Sequence, residues 1–296
     1  MDKEQMYDCI IIGAGPGGLQ AAIYLGRYNR KVLLINRGGG RTSHAKSIEN
    51  FLTQKEISGG EMIRLGLEQA RSFNVRVEQG TVTNIIKREY FEVHAGETIY
   101  HTLFVIVSTG ATENFPPIDR IRKFLGTGFY TCVDCDGYKT MGKKLVVLGT
   151  SLKTLHLAFG MKEMYTKDVT VVLYNQTVPE EYRKELRDED IRLITGRPVR
   201  IVGQDRIEGI EMRDGQVVEC EAIMSNFGFK LNDEFLSNLN LKRDRDNFKY
   251  ITNSNCESSM DRLYMVGPLT GNDQAIIAAG EGAIAAIDLK RRLLER

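Results

Sequence analysis

The stretch Tyr7–Ile12 is short and rich in β-branched residues, and it runs straight into Gly13-Ala14-Gly15-Pro16-Gly17-Gly18. A strand that ends in G-x-G-x-x-G, here Gly13, Gly15 and Gly18, and passes at once into an apolar helical stretch to about Tyr28 has few folds open to it. Val32 to Ile35 supplies a second strand and completes a β-α-β unit. Glycines there allow the tight turn, the approach of backbone to a pyrophosphate, and close packing of helix on strand. The run Cys9 to Gly26 is apolar enough for a membrane span, but its Gly-Pro-Gly-Gly centre argues for strand, turn and helix. Asn36 stands where an acid usually binds an adenosine ribose, and its amide bonds a hydroxyl less strongly.

With 296 residues the chain has room for about two domains. Gly38-Gly39-Gly40-Arg41 reads as a flexible turn able to wrap a ligand. A helix from about Gly59 to Phe73 follows, then strands at Val75–Val77, Thr81–Lys87 and Tyr90–Val93. Leu103 to Val107 is continuously apolar, as in a buried parallel strand, and ends in Ser108-Thr109-Gly110-Ala111. Pro116-Pro117 reads as a linker and first domain boundary. A second β-α-β pattern starts with Lys144–Leu148, a helix to about Met164 and a strand at Val169–Leu173. Only its first loop glycine, Gly149, remains. Ser151 and Thr154 put a β-carbon where pyrophosphate or the facing strand would approach. Short strands and turns are expected to Asn226, and a second boundary near Leu241, in the charged run Lys242–Asp246. Leu263–Val266, the turn Gly267–Gly271 and a helix Gln274–Leu294 close the chain. Gly280 and Gly282 lower that helix's intrinsic stability, so its small face serves close packing against a backbone or flat ring. Strands alternating with helices place the chain in the α/β class.

Chemistry concentrates at Cys132-Val133-Asp134-Cys135-Asp136-Gly137. Two cysteines so spaced form a redox dithiol, share a metal, or sit inert in a loop. Structural zinc needs two more ligands, whereas Cys9, Cys220 and Cys256 are scattered and the four histidines form no pair. Asp136, next to the second thiol, can pass a proton as a dithiol opens and closes, which favours the redox reading. The 40 basic and 39 acidic residues nearly cancel and point to neither nucleic acid nor a membrane surface. Lys290-Arg291-Arg292 and Arg296 read as a solvated helix end. Five cysteines do not make a secreted disulfide framework, and Met1–Gln5 has no signal-peptide shape. A soluble cytoplasmic protein without membrane insertion is expected.

Taken together, the first glycine loop, Glu49-Asn50-Phe51, Ser108-Thr109-Gly110-Ala111-Thr112, Cys132-x-x-Cys135-Asp136-Gly137, and Gly267 with Gln274-Ala275 resemble the low-molecular-weight thioredoxin reductase family of flavoproteins. The resemblance spans nearly the whole chain. It implies two Rossmann-like (three-layer ββα) nucleotide-binding domains, the second inserted in the first. Residues 1–114 and 244–296 would form an FAD domain, and 115–243 an NADPH-type domain carrying the dithiol. Cys132 and Cys135 would be the redox disulfide and Asp136 the proton donor. FAD would contact Gly13, Gly15, Pro16, Gly17, Gly18, Asn36, Arg37, Gly40, Arg41, Asn50, Val82, Thr109, Gly110, Gly267, Gln274 and Ala275. No metal is implied, and a homodimer is.

The departures from that family carry information. Where it has a His-Arg-Arg run to grip the 2′-phosphate of NADPH, this chain has Tyr174-Asn175-Gln176. Pro268 replaces the aspartate that binds the ribityl chain, and Asp273 stands where arginine is usual. NADPH is therefore not the expected donor. Ferredoxin-dependent relatives and a diflavin-linked branch, which holds a second FAD, supply the two expected alternatives, and the Gly-Pro-Leu-Thr-Gly turn inclines toward the diflavin branch. For an acidic ferredoxin, Arg37, Arg41, Lys46 and the C-terminal arginines are candidate landing residues. Thioredoxin is one disulfide protein the resemblance offers as acceptor. The competing functions are an NADPH-dependent thioredoxin reductase with a divergent site, a dithiol oxidase passing electrons to oxygen, and a non-catalytic FAD scaffold. An intact Cys-x-x-Cys-Asp speaks against the scaffold.

Overall fold

The computed structural model describes residues 6–174, 176–246 and 248–295; the expectations placed on Met1–Gln5, Asn175 and Arg296 lie outside the described residues. Contacts divide the chain into an outer unit, which runs to Thr112 and resumes at Lys230, and an inner unit, Glu113–Phe229.

The outer unit begins with β1 (Met6–Ile12), α1 (Pro16–Arg27) and β2 (Val32–Asn36). β1 lies parallel to β2 with Ile11 opposite Leu34, and nearly every side chain of the pair is buried. Burial on both faces explains why these strands read as unbroken apolar runs. Pro16 opens α1, where its missing N–H and fixed φ are harmless. α2 (Gly59–Ser72) starts at Ser58, whose hydroxyl accepts the Glu61 N–H at 3.2 Å. β3 (Arg76–Gln79), β4 (Val82–Lys87), β5 (Phe91–Ala95) and β6 (Thr98–Val107) complete the first part of a sheet ordered β3-β2-β1-β6-β5-β4. β6 is longer than the expected Leu103–Val107. Its first half pairs antiparallel with β5 and stays half-exposed, so only the second half, parallel to β1, carried the buried-strand signature. The chain leaves this unit through β7 (Ala111–Glu113).

In the inner unit, β8 (Phe129–Tyr130) precedes the one-turn helix α3 (Val133–Asp136). β9 (Leu145–Gly149), α4 (Lys153–Met164) and β10 (Val169–Leu173) form the second β-α-β unit. α5 (Glu180–Asp188) falls where only short strands and turns were expected. Tyr182 and Leu186, one turn apart among charged residues, are its whole apolar face, too short a stripe to stand out from a polar loop. β11 (Arg192–Thr195) is followed by the antiparallel β12 (Pro198–Val202), β13 (Gly209–Met212) and β14 (Val217–Glu219), then by β15 (Ala222–Asn226). The parallel sheet is ordered β11-β10-β9-β15-β8.

The chain returns through β16 (Phe229–Leu231) to β17 (Leu263–Met265), parallel to β6, and α6 (Ala275–Leu294), which packs on α1. Both boundaries differ from the expected 114/115 and 243/244. Pro116-Pro117 belongs to the inner unit, where the Ile118 N–H reaches the Pro116 carbonyl at 2.8 Å. Residues 230–243 belong to the outer unit: the Asn238 amide donates to the Ile85 carbonyl at 2.8 Å, and Asn232 bonds Thr109 and Gly110. The charged run is a turn of that unit and no linker. Arg243 pairs with Asp233, and an Asp244 oxygen accepts the Phe248 N–H at 2.8 Å. Among the described residues no helix is long and apolar enough to cross a membrane.

Candidate functional site

The outer unit holds a cavity of about 450 Å³ at the carboxyl ends of β1 and β2. Its floor is the first glycine loop, and the glycines there differ in purpose. Gly13 has φ +101°, and a β-carbon on it would stand 2.3 Å from the Ser108 carbonyl oxygen. One on Gly18 would stand 2.0 Å from the Gly13 oxygen, and one on Gly17 2.9 Å from the Ala278 oxygen. These three serve the protein's own packing. A β-carbon on Gly15 would meet nothing nearer than 3.9 Å, so only an occupant of the cavity has use for its bareness. α1 begins there with no side-chain cap and no acid in its first turn, which leaves its N–H groups and positive dipole end for an anion. A dinucleotide's pyrophosphate matches that donor set.

Of the residues expected at a cofactor, Gly13, Gly15, Pro16, Gly17, Asn36, Arg37, Gly40, Arg41, Val82, Thr109, Gly110, Gly267, Gln274 and Ala275 line the cavity. Gly18 and Asn50 are absent from the lining. Gly18 lies behind the loop, and the Asn50 amide instead donates to Gln274 Oε1 at 3.2 Å. The oxygen of Asn36 accepts the Gly38 N–H at 3.1 Å, which holds the triple-glycine turn. Arg41 pairs with Asp273 at 3.0 Å, so a residue expected at the cofactor meets one of the departures from the family pattern in an ion pair.

Sequence reading missed Asn232, Glu234, Phe235 and Glu281. The first three follow β16 and line the cavity, although they were assigned to the other domain. Asn232 is anchored by Thr109, whose hydroxyl donates to its carbonyl at 2.6 Å. Glu281 is buried, and its carboxylate accepts the Gly267 N–H at 2.5 Å, the Thr270 hydroxyl at 2.8 Å and the Asn272 amide at 2.7 Å. It holds the 267–272 turn against the cavity. The buried acid in an Ala/Gly-rich helix was the signal available for it.

In the inner unit Cys132 and Cys135 are joined as a disulfide. Cys132 caps α3, its sulfur accepting the Cys135 N–H at 3.2 Å, and its carbonyl accepts the Asp136 N–H at 3.1 Å. The Asp136 carboxylate pairs with Lys139 at 3.0 Å. Behind it, Gly137 lies so close to the Tyr165 ring that a β-carbon would stand 2.7 Å away. Burial, and then the Asp136 charge, raise the pKa of Tyr130. The other thiols are buried and unpaired: burial pushes Cys220 and Cys256 up to about 12 and raises Cys9 well above the ordinary range. A thiol that stays protonated is a poor nucleophile.

The second glycine loop is built differently. Thr154 is fully buried, and its hydroxyl fills the space a Gly149 β-carbon would need, 2.0 Å away. Tyr174 and Gln176 follow β10, and the Arg197 guanidinium lies 5.9 Å from the Tyr174 ring centre. A groove of about 380 Å³ runs between Arg197 and Arg213.

A family model described as pyridine nucleotide-disulphide oxidoreductase matches residues 7–283. The chain belongs to that family. This pyridine nucleotide-disulphide oxidoreductase is accordingly an enzyme of a group of FAD-binding disulfide oxidoreductases, and it is thioredoxin reductase-like. Thioredoxin reductase of Bacillus subtilis (strain 168) is 29% identical over 307 residues, covering 97% of this chain and 94% of its own. A 34.2 kDa protein in a rubredoxin operon of Clostridium pasteurianum is 27% identical, covering 97% of each chain. The crystal structure of thioredoxin reductase from Streptococcus pyogenes MGAS5005 superimposes with a TM-score of 0.90 at 26% identity, covering 99% of each chain.

Proposed function

We propose that this oxidoreductase uses Cys132 and Cys135 as its redox pair, binds FAD in the outer cavity, and takes electrons from a donor other than NADPH. The observation that carries the reading is the Cys132–Cys135 disulfide followed immediately by a held carboxylate, Asp136. FAD in the outer cavity would supply two-electron exchange with that pair. The pyrophosphate would lie against Gly15, Pro16 and Gly17 at the start of α1, the adenosine toward Asn36, Arg37, Gly40 and Val82, and the ring end toward Arg41, Thr109, Gly110, Gly267, Gln274 and Ala275, with Gly18 and Asn50 supporting from behind.

Two features of the inner unit argue against NADPH. Tyr174 and Gln176 offer no charge-assisted bond to a 2′-phosphate, and Thr154 occupies the loop where a third glycine is usual. Ferredoxin or a second flavin is the donor class, and a protein disulfide such as thioredoxin is the acceptor, in the cytoplasm. A homodimer is part of this reading. Ile276, Ile277, Ile284 and Ile287 are between 42% and 46% exposed on α6, and Ile276, Ile284 and Ile287 recur on one face at helical spacing. A second reading, reduction by NADPH, draws on the groove between Arg197 and Arg213. Both arginines are exposed and neither follows β10, where the family's phosphate grip stands.

An anaerobic reductive titration tests the pairing of flavin and dithiol. The FAD-loaded protein should take up about four electrons per chain, two on the flavin and two on the disulfide. A variant with both Cys132 and Cys135 changed to Ser should take up two. Four electrons in that variant would remove the dithiol from the account.

A further inference from the structure

We propose that Lys139 is a positioning residue for disulfide exchange, holding the Asp136 carboxylate where it serves the sulfur pair. The proposal rests on the reading of Cys132 and Cys135 as a redox centre. Asp136 and Lys139 are three residues apart on the turn that leaves α3, and they meet at 3.0 Å with side chains only 21% and 20% exposed. The backbone beneath is fixed: the Asp136 N–H bonds the Cys132 carbonyl at 3.1 Å, and the Thr140 hydroxyl bonds the Gly137 carbonyl at 2.7 Å. Tyr165 blocks the far side of Gly137. The carboxylate on this rigid turn retains two side-chain torsions, and the ammonium selects among them.

The step concerned balances without any further reactant when a small dithiol opens the disulfide. The first thiol of the reductant gives its proton to the Asp136 carboxylate as its sulfur bonds to one cysteine sulfur and the Cys132–Cys135 bond breaks. Asp136 passes that proton to the leaving cysteine thiolate and returns to the carboxylate that Lys139 compensates. The second thiol of the reductant displaces the remaining cysteine and closes as a disulfide, and the proton it sheds ends on that cysteine. Two electrons and two protons move from the reductant to Cys132 and Cys135.

The test uses the purified FAD-loaded protein and dithiothreitol, with alkylation and mass measurement of the quenched samples to count opened disulfides. Asp136→Asn should slow opening by about 100-fold, the lower end of what a positioned proton donor contributes. Lys139→Met should slow it by about tenfold through misorientation of that donor. Lys139→Arg, which keeps the ion pair, should open at close to the wild-type rate, and Lys139→Met with Asp136→Asn should be no slower than Asp136→Asn alone. Contacting residues couple in a structural role too, so the unfolding midpoint of Lys139→Met is read beside its rate: slow opening at an unchanged midpoint supports the proposal, and a midpoint that falls with the rate would overturn it. Wild-type speed in Lys139→Met beside a slow Asp136→Asn would overturn the inference and leave Asp136 its role. Additive slowing would overturn it as well. Wild-type speed in Asp136→Asn would defeat the underlying reading of the acid.

Discussion

Gly282 of α6 lies against Gly17 at the start of α1, so close that a β-carbon on Gly282 would stand 2.0 Å from the Gly17 carbonyl oxygen. The contact fixes one wall of the cavity to its floor, and no flexible side chain is there to yield. Gly282→Ala should therefore destabilise the outer unit by about 1–3 kcal/mol, as overpacking does in other well-packed interiors. Denaturant unfolding measures this. An unchanged midpoint would mean that the two helices can part without cost.

Gly15 should respond in the opposite way. Its φ of −73° suits any residue, and the space beside it is open. Gly15→Val should keep the wild-type unfolding midpoint of the flavin-free protein and lose FAD on purification. Full flavin occupancy in that variant would defeat the assignment of the cavity.

Glu281 should link the two behaviours. Glu281→Ala leaves the buried Gly267 N–H without its acceptor, while the Thr270 hydroxyl keeps the Gly267 carbonyl and the Asn272 amide keeps the Thr270 hydroxyl. A buried group left unsatisfied costs about 1–3 kcal/mol, so FAD affinity and stability should fall together. Loss of neither would show that the turn is held by other bonds.

The thiols should separate by pH. Cys220 and Cys256 are raised from 9.0 to about 12 on folding, so the stability they confer is complete below pH 9 and lost as pH rises from 9 towards 12. At pH 8 both stay protonated. Iodoacetamide should then label two cysteines in the reduced native protein and all five after unfolding. Labelling of Cys220 or Cys256 in the native protein would contradict their burial.

Much of this was legible in the residues because it depends on local pattern. The strand, loop and helix at 6–27 need only β-branched residues, glycines and a proline in order, and Cys132-x-x-Cys135-Asp136 declares its chemistry in five positions. What was hidden depends on contacts distant in sequence. Asn232 lines the outer cavity because Thr109, 123 residues away, holds it, and nothing in the polar stretch around it signals that return. The Lys242–Asp246 run looked like a domain boundary because charge usually marks solvent, whereas Arg243 folds back onto Asp233. α5 stayed hidden because its apolar face is only Tyr182 and Leu186 among charged residues, and Arg41, expected at the cofactor, and Asp273, a departure from the family, read as unrelated until the fold paired them.

The central claim, a flavin and dithiol fed by something other than NADPH, is tested most directly by anaerobic stopped-flow mixing of the FAD-loaded protein with saturating NADPH. A charge-assisted bond contributes about 1.5–3 kcal/mol, and the family's two phosphate-gripping arginines have no charged counterpart at Tyr174-Asn175-Gln176. The flavin band should persist over many seconds with NADPH and bleach promptly with reduced ferredoxin or by photoreduction. Bleaching by NADPH at rates usual for turnover, roughly 1–10³ per second, would contradict the account.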